Sequence, residues 1–221
     1  MSKENDISRR PLKSRDTKWA AAIASRLTRA GVRPNAISIA GTIFAGMAGV
    51  CLWLAGQAGL NWHWSLLLVL TVCGMQLRLL CNLFDGIVAI EGGFKTKSGE
   101  IFNELPDRFS DAFIFIGAAY SFPGFTWTRE LGWAAATLAV VTAYVRALGA
   151  GMGAGQQFTG PMAKQQRMAT LTLACLIGSF APLSPPVACV IPLALATIGL
   201  GCILTIFRRC RRIANEMESK K

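Results

Sequence analysis

Six stretches of the chain are apolar over lengths that approach a bilayer crossing, near 36–56, 64–90, 100–123, 131–150, 167–183 and 187–207; about 20 residues make one helical span. Polar or turn-forming breaks separate them: GQAGLNWHW, EGGFKTKSG, SFPGFTWTRE, GAGMGAGQQFTGPMAKQQR and APLSPP. The last, rich in proline, reads as a hairpin tip. Ahead of the first stretch, TKWAAAIASRLTR (17–29) sets Trp19, Ala22, Ile23 and Leu27 on one helical face with basic residues around it. That is the pattern of an amphipathic helix lying on a membrane surface. The chain is therefore expected to be all-α: an integral membrane six-helix bundle with an N-terminal amphipathic interfacial helix. Its parts are a basic N-terminal segment (1–33), the six-helix domain (34–207) and a basic tail (208–221).

Composition agrees with a membrane protein, since 52% of the 221 residues are hydrophobic. The net charge of +11 has no nucleic-acid motif or aromatic interleaving to go with it, so no nucleic-acid partner is expected. Its placement fits the positive-inside rule instead. Nine Lys and Arg precede Pro34, Lys95 and Lys97 lie in the second break, Lys164 and Arg167 in the fourth, and RRCRR follows the last stretch, against Arg129 alone on the other side. Both termini are thus expected in the cytoplasm, the membrane being that of a bacterial cell, with lipids as partners. No apolar h-region precedes residue 34, so no cleavable signal is expected. The seven cysteines are scattered without CxxC or Cys/His spacing and predict neither disulfides nor zinc. His63, between Trp62 and Trp64, reads as part of an aromatic belt at the opposite interface.

What this picture leaves unexplained is CNLFDGIVAIEGGFKTKSGEIFNELPDRFSD, residues 81–111, which carries six of the chain's twelve acids. One uncompensated acid at the bilayer centre costs about 2.5–3.5 kcal/mol, so a cluster demands a cavity and counter-charge. Helical spacing puts Arg78, Asn82 and Asp85 on one face, and Asn103, Asp107 and Asp111 on another at i, i+4, i+8. Counting outward from the short loop between the two helices pairs Asn82 with Asp107 and Asp85 with Glu104. These oxygen donors favour Mg²⁺ or Mn²⁺ over zinc. The bland alternative is that the acids form buried salt bridges with Arg78 and Arg108.

The spacing resembles the signature of the CDP-alcohol phosphotransferase family, DxxDGxxAR followed after eight or more residues by GxxxDxxxD. Here it reads Asn82-Leu-Phe-Asp85-Gly86-Ile-Val-Ala89-Ile90 and then Gly99-Glu-Ile-Phe-Asn103-Glu-Leu-Pro-Asp107. RPNAIS at the mouth of the first helix is also similar. The resemblance implies transfer of a phosphatidyl or other phospho-alcohol group from a CDP-linked donor to an acceptor alcohol, with release of CMP in phospholipid synthesis. It implies that Asn82, Asp85, Asn103 and Asp107 hold Mg²⁺ or Mn²⁺ and that Asp107 is the base. Gly86 and Ala89 fall where the cytidine nucleotide sits, with Asn35 and Ser38 lining the same pocket; a homodimer is a further implication.

Three positions depart from the signature: Asn82 and Asn103 replace aspartates, and Ile90 replaces arginine. Each Asn still offers an amide oxygen but removes a negative charge. Glu104 and Asp111 are the acids expected to compensate at the metal, and Lys95 or Lys97 to replace the lost phosphate contact. The same departures motivate a second reading, a CDP-lipid-binding scaffold without turnover. A proton-coupled transporter is less well matched, because the acidic cluster has no second copy in the chain.

Overall fold

The computed structural model describes residues 17–94, 99–122 and 124–220, apart from the side chains of residues 99, 100, 103 and 185. Among these residues there are seven α-helices and no strand: α1 (Lys18–Arg29), α2 (Pro34–Ala58), α3 (Trp62–Glu91), α4 (Gly99–Ala119), α5 (Thr128–Gly151), α6 (Lys164–Gly178) and α7 (Val190–Glu218). A 3₁₀ turn, Pro185–Cys189, leads into α7. Four of the helices, α2, α3, α5 and α7, are long and apolar enough to cross a membrane.

Local chemistry explains several boundaries. Pro34 opens α2 at its first turn, where a missing N–H costs nothing. The side chain of Asn61 caps α3 by accepting from the His63 N–H at 2.9 Å. The backbone leaves α5 through Gly153, whose φ of +83° suits a residue without Cβ. α6 ends at Gly178 rather than running to 183. At the other extreme α7 passes through RRCRR without a break to Glu218, so the residues from 208 onward continue a helix.

Small residues decide how the helices stack. α2 is a wedge that packs against both α3 and α4, whereas α3 and α4 barely meet backbone to backbone. Gly49 and Gly117 bring α2 and α4 so close that a Cβ on either would collide with the other helix's backbone, and at Gly74 a Cβ would press tightly on α2. Close approach through glycine and alanine is how membrane helices gain packing energy where lipid is as apolar as the side chains. α5 then joins α4 to α7, and α6 closes the ring between α3 and α7. The main core runs through Ala48, Leu52, Trp64, Leu68, Met75, Phe115, Leu171 and Leu195, all buried. The Trp64 indole donates to the Gly178 carbonyl at 2.8 Å and ties α3 to the end of α6.

α1 packs on α3 through its small residues. Ala20 and Ala24 are fully buried against Leu83, Ile87 and Val88, with Leu27 partly buried beside them. Trp19, Ala22 and Ile23 remain exposed, Trp19 at 48%, although its ring meets Phe84 edge-on.

Candidate active site

The last turns of α3 and the first half of α4 converge on a polar centre. Arg78, Asn82 and Asp85 recur at four- and three-residue intervals, which sets them on one side of α3. The Asn82 amide donates to Asp107 on α4 at 3.2 Å, so the two share a level as counting predicts. The companion pairing of Asp85 with Glu104 does not occur. Asp85 is buried and accepts a hydrogen bond from the Ser38 hydroxyl of α2 at 2.7 Å, because α2 is the neighbour on that side of α3. Glu104 instead pairs with Arg108 at 2.9 Å and with Arg146 of α5. Arg108 thus forms an ion pair, as the bland alternative had it, but a solvent-open one with Glu104 rather than a buried one.

Asp107 and Asp111 occupy contrasting surroundings. Asp107 is partly open, accepts from the Lys164 ammonium of α6 at 2.5 Å, and has the Arg78 guanidinium 3.6 Å away. Asp111 is buried, with one oxygen 2.7 Å from Arg78 and the other 2.6 Å from Arg167. Both of its oxygens are therefore paired with guanidinium groups in this structure, at the position expected to supply a further acid to the metal shell. The triad links α3, α4 and α6 inside the bundle, where breaking a paired charge is costly.

Two cavities flank the Asn82–Asp107 pair. On one side is a pocket of about 10 Å³, room for roughly one water-sized sphere. Asp85, Asp107, Asn82, Ser38, Thr42 and Ser110 line it, together with Cys81 and the guanidinium-bearing Arg78, whose charge Asp111 pairs from the far side. On the other side lies a cavity of about 740 Å³ with five basic residues in its wall, Arg108, Arg146, Lys164, Arg167 and Arg209, against Glu104 and Asp107. Arg146 also lies over the Phe158 ring, 5.4 Å from its centroid. Asn82 and Asp107 belong to both cavities and form the partition between them.

The remaining expected residues divide. Gly86 is buried on α3 with its backbone hydrogen-bonded to the Asp85 carboxylate, Ala89 is half-buried, and Asn35 is exposed one turn before Ser38. Lys95 and Lys97 lie outside the described residues, as does the side chain of Asn103. Among the described residues no three His, Cys, Asp or Glu side chains converge as a metal-binding group; Asn82 stands where a third carboxylate would complete one with Asp85 and Asp107. Arg209 is the functional candidate that sequence reasoning missed. It sits inside RRCRR, yet it is buried and donates to the carbonyls of Thr142 at 2.7 Å and Thr159 at 2.9 Å. Once that run is helical, the 100° step between neighbours turns Arg209 inward while Arg208 stays outside.

No family model matches the chain. The phosphatidylinositol phosphate synthase of Cutibacterium acnes is 28% identical over 204 residues, covering 89% of this chain and 93% of that protein. The synthase of the same name from Mycolicibacterium smegmatis is 28% identical over 125 residues, 57% of this chain and 49% of that one. Among solved structures, Mycobacterium tuberculosis phosphatidylinositol phosphate synthase with CDP-DAG bound superposes with a TM-score of 0.73 at 20% identity, covering 89% of this chain and 94% of the other. The same synthase in complex with manganese and citrate gives a TM-score of 0.72 at 20% identity, over 88% of each chain. At that identity the structural likeness is one of fold.

Proposed function

We propose that the chain is a member of the CDP-alcohol phosphotransferase family, as its signature spacing and its 28%-identical relatives support, and that it transfers the phosphatidyl group of CDP-diacylglycerol to a phosphorylated alcohol, releasing CMP. The observation that carries this reading is the partition: one carboxylate, Asp107, faces both an oxygen-lined pocket of single-ion size and a large basic cavity. The relatives' name, phosphatidylinositol phosphate synthase, supports an acceptor that already bears a phosphate. So does the excess of cations around the 740 Å³ cavity.

The small pocket fits a hard divalent cation. Its wall offers two carboxylates, an amide and three hydroxyls, groups that suit Mg²⁺ or Mn²⁺, and the Arg78 guanidinium beside them is already paired with Asp111. Asp85 and Asp107 would hold the ion, with Asn82 and Asn103 offering neutral amide oxygens and Ser38 orienting Asp85. Such an ion, when bound, neutralises pyrophosphate charge and acts as a Lewis acid. The chain's own groups do the rest. Arg146, Lys164 and Arg209 bind the acceptor's phosphate and turn its hydroxyl toward Asp107. Asp107 takes the hydroxyl proton. The acceptor oxygen then forms a bond to the phosphatidyl phosphorus as the phosphorus–oxygen bond to CMP breaks, and CMP departs with that electron pair.

In the membrane we read α2 to α7 as six spans, α1 as lying on the inner leaflet, both termini as cytoplasmic and the working unit as a homodimer. The testing experiment is CMP release by the purified protein from CDP-diacylglycerol with Mg²⁺ or Mn²⁺. Paired acceptors would be compared: inositol with inositol phosphate, and glycerol with glycerol phosphate. Metal-dependent release with one phosphorylated acceptor is expected. Absence of CMP release with every acceptor tried would sink the enzyme reading, and nucleotide binding without turnover would then favour the scaffold, which the two asparagines and Ile90 motivate.

A further inference from the structure

A second groove lies on the other side of the 152–163 segment from the candidate active site. One wall is Thr159 with Gly160 and Pro161, and the other is a single face of α7: Leu204, Phe207, Arg208, Arg211, Arg212 and Asn215. Their spacing of three and four residues makes a continuous stripe. Along it the chemistry changes in order. Leu204 (42% exposed) and Phe207 (64% exposed) form an apolar floor toward the membrane-spanning part of α7. Three exposed arginines follow and then a neutral polar residue.

Two details set this stripe apart from an ordinary basic helix end. None of the ion pairs among the described residues uses Arg208, Arg211 or Arg212. The hydroxyl of Thr159, in the facing wall, is buried and has no hydrogen-bond partner among the described residues. Positive-inside topology accounts for arginines at this end of the bundle. It does not account for their convergence on a groove that also offers an unpaired hydroxyl and an exposed apolar floor.

We propose that this groove binds an anionic phospholipid, with the headgroup phosphate between the three guanidiniums and Thr159 and an acyl chain along Leu204 and Phe207. Guanidinium forks match phosphate oxygens geometrically, and each cation at an anionic membrane surface adds to the attraction. A soluble phosphate would use the arginines and leave the apolar floor uncovered, so the amphiphile is the better complement. The groove also adjoins the active site: Arg209 lines the main cavity and is tied to the Thr159 carbonyl, and Thr205 accepts the buried Met162 N–H at 3.1 Å. A lipid seated here buttresses from outside the segment whose inner side supplies Phe158, Ala163 and Lys164 to the main cavity.

The test uses the full chain in detergent micelles doped with phosphatidylglycerol or phosphatidylcholine of identical acyl chains, reading retained lipid by native mass spectrometry and melting temperature in parallel. Phosphatidylglycerol should be retained at least about tenfold better, given three cations at the site, and should raise the melting temperature. The triple variant Arg208→Gln/Arg211→Gln/Arg212→Gln should lose that preference. Thr159→Val, which keeps the side-chain shape, should weaken it. Equal retention of the two lipids, or a preference that survives the triple variant, overturns the proposal. Equal stabilisation by inorganic phosphate alone would assign the groove to a soluble anion and overturn it as well. These readouts do not involve CMP, so they stand or fall apart from the proposed transferase activity.

Discussion

Asp107 and Asp111 are the same residue type on the same helix, one turn apart, and the bundle treats them oppositely. Asp107 keeps 15% of its side chain exposed and shares its oxygens between an amide and an ammonium. Asp111 keeps 3% and gives each oxygen to a buried arginine. One turn deeper into the bundle, solvent and cavity disappear, and a carboxylate that must stay charged needs two fixed cations to do so. The upper acid is left able to exchange partners, as the proposed proton acceptor and metal ligand would need, while the lower acid ties α3, α4 and α6 together.

The largest expected effect separates the two by their readouts. Asp107→Asn should lower CMP release by about 10²–10⁴-fold, the range for loss of a positioned general base, while the melting temperature in detergent barely moves. Asp111→Asn should do the reverse in kind: it leaves Arg78 and Arg167 facing a neutral amide and should cost about 3–5 kcal/mol of stability. A stable Asp111→Asn protein with reduced metal affinity would return Asp111 to the metal shell and erase the contrast.

How far this contrast could be read beforehand depends on what each side chain faces. The level of Asn82 and Asp107 was legible, because two helices joined by a short loop keep count along their lengths. For Asp111 a buried bridge to Arg78 was the bland alternative, and what stayed hidden was Arg167, since an i, i+4 stripe gives a face but not which helix covers it. Arg78 and Arg167 arrive from elements 33 and 56 residues away. The wedge of α2 had the same effect on Asp85, whose partner came from Ser38 instead of Glu104. On α1, periodicity gave an apolar face of Trp19 and Ile23 but not the contact with α3, which falls on Ala20 and Ala24 because close helix approach selects small side chains and leaves large ones outside. Arg209 was masked by its basic neighbours, which a helical continuation of α7 then distributed around its circumference.

A smaller effect sharpens the reading of the upper tier. Ser38→Ala removes the one hydroxyl that orients Asp85. Loss of a partner that orients a metal ligand typically costs about 10–100-fold in metal affinity, so Mn²⁺ binding followed by electron paramagnetic resonance should weaken by that order. Asn82→Asp should move the same titration toward tighter binding by restoring a negative charge beside Asp107. If Asn82→Asp left Mn²⁺ affinity unchanged while Ser38→Ala weakened it, the ion would be held by Asp85 without help from the α3 position one turn earlier.

The smallest expected effect lies at the rim of the basic cavity. Glu104 is 46% exposed and pairs with both Arg108 and Arg146, so it offsets cations that would otherwise face an anionic acceptor. Ion pairs this open to solvent are worth about 0–1 kcal/mol, and the 1 kcal/mol end is a factor of about five in an equilibrium constant. Glu104→Gln should therefore lower the KM for a phosphorylated acceptor by no more than about fivefold, leave kcat nearly unchanged, and leave the KM for CDP-diacylglycerol untouched. The effect should shrink as salt rises, because screening acts on exposed charges first. A rise in KM instead would mean that Glu104 holds Arg146 in its binding position, and that the upper tier is as prearranged as the lower one.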